Sequence, residues 1–94
     1  MIDFAEIKTQ IIENGLAYAE MTDSATQKYL VVEGLWNRDQ TTTITKVSAG
    51  WKIGDFVKTL PVKVSIPEIT KENIEFVKSQ LQSQYDAPVI IKMM

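Results

Sequence analysis

The run from Tyr29 to Trp36 constrains the fold of this chain more than any other stretch, because alternate positions on both of its faces are apolar. The two sets are Leu30, Val32 and Trp36 on one face, and Tyr29, Val31 and Leu35 on the other. Such a strand is stable only when both faces are covered, which is typical of the centre of a sheet. Glu33 and Gly34 interrupt the run. Glu33 needs a partner or a proton if its face is covered, and points to water if Gly34 marks a β-bulge.

The first residues have the pattern of an amphipathic helix that begins at a capping box. Asp3 can accept from the backbone amide three residues on, while Glu6 can reach back. Apolar residues at spacings of three and four form the buried stripe: Phe4, Ile7, Ile11 and Ile12. Asn14-Gly15 is expected to end the helix, because glycine suits the left-handed position after a helix. A second interpretation continues the helix to Met21.

Residues 16–49 are predicted to form a β-meander with turns at residues 22–24 and 37–39. The β-branched, polar run from Thr41 to Val47 favours an outer strand with one face in water. Residues 50–59 mix glycines with large apolar side chains, which indicates a loop or a short helical turn.

The last third of the chain is predicted to be strand, helix and strand. Val62, Val64 and Ile66 alternate with polar residues between two prolines, as in a half-buried strand. A helix from Thr70 to about Gln84 would bury four apolar residues and end at Asp86-Ala87-Pro88; they are Ile74, Val77, Leu81 and Tyr85. The apolar residues 89–94 predict a closing strand inside the sheet.

The expected fold class is therefore α+β, in the order α-β-β-β-β-α-β. One sheet of about four to five strands, a meander plus the C-terminal strand-helix-strand unit, would carry two helices on one face. Residues 1–94 are expected to form one domain. Because the chain starts with acidic residues and has no long apolar run, we expect no signal peptide and no membrane-spanning segment. The lack of cysteine fits a cytoplasmic protein.

The chain has no histidine and no cysteine. It therefore lacks the usual general base near neutral pH, the usual transition-metal ligands, and any thiolate nucleophile. The four glycines form no phosphate-binding motif and no nucleophile motif. We accordingly expect a protein that is not an enzyme and binds no metal or cofactor. A carboxylate enzyme built on Glu33 and Asp55 is a minor alternative.

The charges are unevenly distributed along the chain. Residues 1–27 carry five acids against one lysine, whereas residues 40–66 carry four lysines against Asp55 alone. Aromatic residues lie among or near these lysines, and tryptophan is a favoured interface anchor. The sequence thus predicts a partner-binding surface composed of Trp36, Lys46, Trp51, Lys52, Phe56, Lys58 and Lys63.

The leading hypothesis is a protein-interaction module of the adaptor or inhibitor type. It would act through its sheet surface or by self-association as a homo-oligomer, for example through its polar outer strand. The alternative is an accessory protein that binds nucleic acid through the lysines and aromatic residues of section 46–63. A net charge of −2 and the use of lysine rather than arginine count against that alternative.

Overall fold

The computed structural model describes residues 2–13, 27–53 and 56–94. Its elements are α1 (Phe4–Glu13), β1 (Gln27–Trp36), β2 (Thr42–Ile53), β3 (Phe56–Pro61), α2 (Ile74–Tyr85) and β4 (Val89–Met93). The strands form one mixed sheet in the order β3-β2-β1-β4. β1 and β2 are antiparallel, β2 and β3 are antiparallel, and β4 runs parallel to β1. The predicted α+β fold class is confirmed.

β1 is the central strand that its two apolar faces predicted. Leu30 and Val32 lie opposite Ala49 and Val47 of β2 and opposite Val89 and Ile91 of β4. This side, which we call the helix face, packs against both helices in one continuous core. Residues between these positions, such as Val31 and Glu33, lie on the other side of the sheet, which we call the second face.

The core is formed where α1, α2 and the helix face meet. Ile7 and Ile11 of α1 and Val77 and Leu81 of α2 are buried there, as predicted. The buried cluster comprises Ile7, Ile11, Leu30, Val32, Val47, Ala49, Ile69, Val77, Leu81 and Val89. Both described helices therefore lie on the same face of the sheet, as predicted.

A side-chain cap defines where α1 begins, whereas α2 follows a turn and its N-cap residue, Asn73, makes no side-chain cap hydrogen bond. Asp3 Oδ1 accepts from the Glu6 amide at 3.1 Å, as predicted, and the Glu6 carboxylate accepts from Gln10 instead of reaching back. Before α2, Thr70 and Asn73 exchange hydrogen bonds of 2.6 and 3.1 Å between side chain and backbone. This exchange closes a turn at residues 71–73, so α2 begins at Ile74 rather than at Thr70.

The predicted end of α2 is confirmed. Asp86 follows the helix in the left-handed conformation with φ 51°, and its amide donates to the Gln82 carbonyl oxygen. The amide of Ala87 donates to the same oxygen at 3.3 Å. Aspartate tolerates this conformation better than most residues, and the following Pro88 prevents the helix from continuing.

The prediction of a loop or helical turn at residues 50–59 was wrong. β2 continues to Ile53, and β3 returns beside it from Phe56. Gly50 permits this pairing, because a Cβ atom at that position would lie 1.9 Å from the Lys58 carbonyl oxygen. The glycine that suggested a turn therefore serves the close approach of two strand backbones.

Two further strand predictions were also wrong in position. The run Thr41–Val47 was expected in an outer strand, but β2 lies inside the sheet because β3 pairs with its other edge. Residues 62–66 form no strand. Val62, Val64 and Ile66 are half-buried against the core, as the alternation predicted. The amide of Val62 makes the last hydrogen bond to β2, by donating to the Val47 carbonyl oxygen, and the following residues do not pair with the sheet.

Among the described strands, β4 lies at the edge of the sheet, so its predicted interior position was wrong. Its apolar residues Val89 and Ile91 are explained by coverage of its helix face, since α2 packs over β4 and both residues pack in or against the core. Continuous apolarity reports how many faces of a strand are covered, and it does not report how many neighbours the strand has. The edge position leaves Ile91 and Met93 with outward backbone groups.

Some expectations lie outside the described residues. They are the helix end at Asn14-Gly15, the choice between strand and helix for residues 16–21, and the turn at residues 22–24. In the parts of the chain that the structure describes, no helix is long and apolar enough to cross a membrane.

Candidate protein-interaction surface

The second face changes from buried to exposed along the strands. At its middle, Val31 and Ser48 lie opposite each other, and both are buried, as is Gly50 beside them. Exposed side chains begin where β1 and β2 pass the irregularity at Glu33 and Gly34. The end near the β1–β2 turn is therefore a part of this face that a partner can reach.

Two apolar residues are exposed side by side at this end. Leu35 is 40% exposed, and Met94 is still more exposed. The Met94 amide donates to the Gly34 carbonyl oxygen, and the Trp36 amide donates to the Met94 carbonyl oxygen, both at 3.0 Å. These two bonds are the pattern of a parallel pair and place Met94 next to Leu35.

A row of three charged residues borders the two apolar side chains. Glu33 of β1 lies opposite Lys46 of β2 and opposite Lys92 of β4, and both lysines are exposed. Within the described residues, no hydrogen bond or ion pair joins these three side chains. We call Leu35, Met94, Lys46 and Lys92, with Glu33 between the lysines, the Leu35 patch.

The bulge explains why these side chains share one surface. Glu33 pairs with Lys46, whereas Gly34 pairs with Ile44, so Thr45 is the extra residue of β2. Its hydroxyl donates to the Glu33 carbonyl oxygen at 3.2 Å. After the bulge, Ile44 turns toward the core. Glycine is needed at position 34 because the Cβ atom of any other residue would approach the Thr43 carbonyl oxygen to 2.7 Å.

The tryptophans proposed for the binding surface lie on the helix face. Trp36 and Trp51 are half-buried against the core. Trp51 Nε1 donates to the Phe4 carbonyl oxygen at 3.1 Å, and Lys8 Nζ lies 5.0 Å from its ring centre. Lys71 Nζ lies 5.6 Å from the ring centre of Trp36. Both indoles thus contact residues of the helix side, and each is overlaid by a lysine.

The structure distributes the remaining predicted residues over both sides of the sheet. Lys46 and Lys52 lie on the second face, whereas Lys58 is opposite Trp51 in the register and belongs to the helix face. Lys63 is exposed in the segment after β3, and Phe56 is the first residue of that strand. The seven residues are therefore not brought together, and Lys46 is the one member that lies in the Leu35 patch.

Sequence reasoning left four of the five members of the patch out of the predicted binding surface. Leu35 was assigned to the correct face of β1, but its neighbour Met94 and the lysine at position 92 lie far away in the sequence. They meet Leu35 only because β4 is parallel to β1 in the register that pairs Glu33 with Lys92. The alternation within residues 89–94 placed Lys92 and Met94 on one face and was the available signal.

Among the described residues, Phe76 is a further large apolar side chain that is strongly exposed, at 69%. It lies on α2, where the residues three and four positions away are Glu72, Asn73, Ser79 and Gln80. A single exposed apolar residue among polar neighbours is ordinary in proteins. The Leu35 patch differs because two apolar residues are adjacent and lysines flank them.

A cleft on the helix side is lined by charged side chains that already have structural partners. It has a volume of about 530 Å³ and is lined by Phe4, Tyr85 and the ion pair in which Lys28 Nζ lies 3.3 Å from Asp86 Oδ2. Asp3, on the rim of the same cleft, already caps α1. Among the described residues, no three acidic side chains lie close enough together to hold a metal ion. Of the carboxylate pair considered above, Glu33 lies in the patch and Asp55 is outside the described residues.

The buried hydroxyl at the middle of the second face gives a stability prediction. Ser48 is 1% exposed, and its Oγ has no hydrogen-bond partner among the residues that the structure describes. Because an unsatisfied buried hydroxyl is costly, Ser48→Ala should raise the free energy of unfolding by about 1 kcal/mol in urea titrations. The matched control is Thr42→Val, which removes a hydroxyl that donates to the Ile69 carbonyl oxygen at 3.1 Å and should cost about 1 kcal/mol. A loss of stability in Ser48→Ala would contradict the prediction.

Comparison with known proteins gives no match, since no family model, curated protein or solved structure is similar to the chain at a significant level.

Proposed function

We propose that this protein is a non-enzymatic protein-interaction module, an adaptor or inhibitor, that works in the cytoplasm and binds its partner through the Leu35 patch. The observation that supports the proposal is the exposed, adjacent pair Leu35 and Met94 at the open end of the second face. Apolar side chains that are surrounded by charged residues are a common composition of protein interfaces. The adjacent turn is held by hydrogen bonds from Asn37 Nδ2 to the hydroxyls of Thr41 and Thr43, so the end of the hairpin is preorganised.

Pairing of strand edges between two copies is less well supported. At the free edge of β3, Pro61 occupies an outward position and has no N–H to donate. At the free edge of β4, the outward amide of Val89 already donates to Gln82 Oε1 at 3.3 Å. Short edge strands, prolines and lysines are the usual protection against such pairing. We therefore favour a different protein as the partner.

Contact between the patches of two copies is also unfavourable. A two-fold axis would place Lys46 and Lys92 of one copy near the same lysines of the other. Like charges that face each other across an interface oppose association. Sedimentation velocity at high protein concentration should accordingly give a monomer, and a dimer that disappears in Leu35→Thr would show that the partner is a second copy.

The proposal is tested by selecting 12-residue peptides from a displayed random library on the immobilised protein. Selected peptides should bind the protein and should lose at least tenfold in affinity for Leu35→Thr, because truncating an interface anchor commonly costs over 1 kcal/mol. Fluorescence anisotropy measures the affinities. Amide shifts in NMR spectra should be largest around Leu35, Lys46 and Lys92.

Val57→Thr is the matched control. Val57 lies at the opposite end of the same face. Its side chain is 36% exposed, which is similar to the 40% exposure of Leu35. Val57→Thr should bind the peptides as the unsubstituted protein does, and thermal melts should show both variants folded. If no peptide is enriched, or if Leu35→Thr and Val57→Thr bind equally, the Leu35 patch is not the binding surface.

A further inference from the structure

We infer that the partner of the Leu35 patch is an acidic protein segment in which carboxylates flank an aliphatic side chain. The inference rests on the proposed function, and it adds the chemistry of the partner. Its basis is the row of Lys46, Glu33 and Lys92 beside Leu35. Two exposed ammonium groups and one half-buried carboxylate leave this row with an excess of positive charge.

The two lysines have not been used by the fold. Among the described residues, the ion pair within 4.0 Å joins Lys28 to Asp86 at the other end of β1, and neither Lys46 nor Lys92 has a hydrogen bond. Other lysines lie over aromatic rings, as Lys8, Lys28 and Lys71 do. Lys46 and Lys92 are thus available to the carboxylates of a partner.

The charges of the sheet and of α1 have opposite signs. Of the strand residues that the structure describes, the second face carries Lys46, Lys52 and Lys92 against Glu33. The first helix with its cap carries Asp3, Glu6 and Glu13 against Lys8, and all three acids are exposed. An acidic partner is therefore attracted to the second face and repelled from α1, which fixes the side on which it docks.

The spacing of the row describes the segment more closely. Lys46 and Lys92 lie on strands two spacings apart, which is about 10 Å between their backbones. Leu35 lies on the strand between them, two residues from Glu33. Carboxylates about 10 Å apart with an aliphatic side chain between them would pair with both lysines while the aliphatic group contacts Leu35 and Met94.

Nucleic acid fits the patch less well than an acidic protein segment. The apolar members are aliphatic, so the patch itself offers no ring on which a base can stack. Its cations are lysines, which bind phosphate as point charges without the bidentate geometry of arginine. Phosphate remains an anion that these lysines could attract, and the experiment therefore includes it.

The experiment uses the peptides selected from the random library and a labelled 20-nucleotide single strand. The selected peptides should be acidic, and they should weaken at least fivefold between 50 and 300 mM NaCl, since exposed charge pairs are screened by salt. Lys46→Glu/Lys92→Glu should weaken binding at least tenfold. Lys63→Glu/Lys78→Glu changes the net charge equally and should bind normally. Glu33→Gln should tighten binding about threefold, because it removes a negative charge that repels the carboxylates of the partner.

The outcomes separate this inference from the proposed function. Neutral or basic selected peptides, or equal binding by the two double variants, would overturn the acidic partner even where Leu35→Thr abolishes binding. Tighter binding of the single strand than of any peptide, lost in Lys46→Glu/Lys92→Glu, would overturn it in favour of nucleic acid. Failure of Leu35→Thr to weaken the peptides overturns the proposed function itself.

Discussion

Gly50→Ala should lower the free energy of unfolding by about 3 kcal/mol, which is near the upper end of the cost of overpacking. The new Cβ atom would lie 1.9 Å from the Lys58 carbonyl oxygen and 2.6 Å from the Thr59 Cα. Both neighbours are backbone atoms, so the clash is relieved only when β2 and β3 move apart. Because a domain of this size has a stability of about 5–10 kcal/mol, thermal melts should show a loss of about 10 °C or more.

Hydrogen exchange locates the damage. The amides of Leu60 and Val62 face β2 in the register, and they should lose protection first in Gly50→Ala. Gly34→Ala is the comparison. The Cβ atom of the new alanine would approach the Thr43 carbonyl oxygen to 2.7 Å, and the other atoms near it belong to the flexible Met93 side chain. Gly34→Ala should therefore be destabilising by a smaller amount. A Gly50→Ala protein as stable as the original would show that β3 does not pass so close to β2.

The position of Gly50 in β2 also shows which features the sequence could predict and which it could not. The apolar faces of β1 and the Asp3 cap of α1 act through neighbours in the sequence or through a regular period, and both were confirmed. The pairing of β3 with β2 depends on the close approach of two backbones, and this leaves no periodic signal. A glycine beside a tryptophan consequently suggested a turn where the strand continues.

Register limited the prediction of the candidate surface in the same way. The composition drew attention to the tryptophans and lysines of section 46–63, but composition does not say which face of a strand a residue occupies. Trp51 and Lys52 are neighbours in the sequence and lie on opposite faces. Leu35 and Met94 are far apart in the sequence, but they are neighbours in space. The order of the strands was needed to assemble the Leu35 patch.

Leu81→Ala should be the most destabilising change in α2, at about 3 kcal/mol, since truncating a fully buried leucine leaves a cavity. Leu81 is fully buried in the core, which it shares with Val77 of α2 and Val89 of β4. Urea unfolding should therefore show a lower midpoint with an unchanged slope. Phe76→Ala is the matched control on the same helix, because it removes a larger side chain from an exposed position and should change stability by less than about 0.5 kcal/mol.

The comparison of Leu81 with Phe76 also bears on the proposed binding surface. α2 packs over β4, and β4 carries Lys92 to its place opposite Glu33 and leads into Met94 beside Leu35. Loosening α2 should therefore increase hydrogen exchange at Ile90 and Lys92, whose amides face β1, before the β1–β2 pairs open. The Leu81→Ala protein should lose peptide affinity only in proportion to the fraction of molecules in which β4 has detached from β1. Phe76→Ala should retain both exchange protection and peptide affinity. Equal exchange rates along β1, β2 and β4 in Leu81→Ala would show that the sheet unfolds as one unit and that α2 does not hold β4 separately.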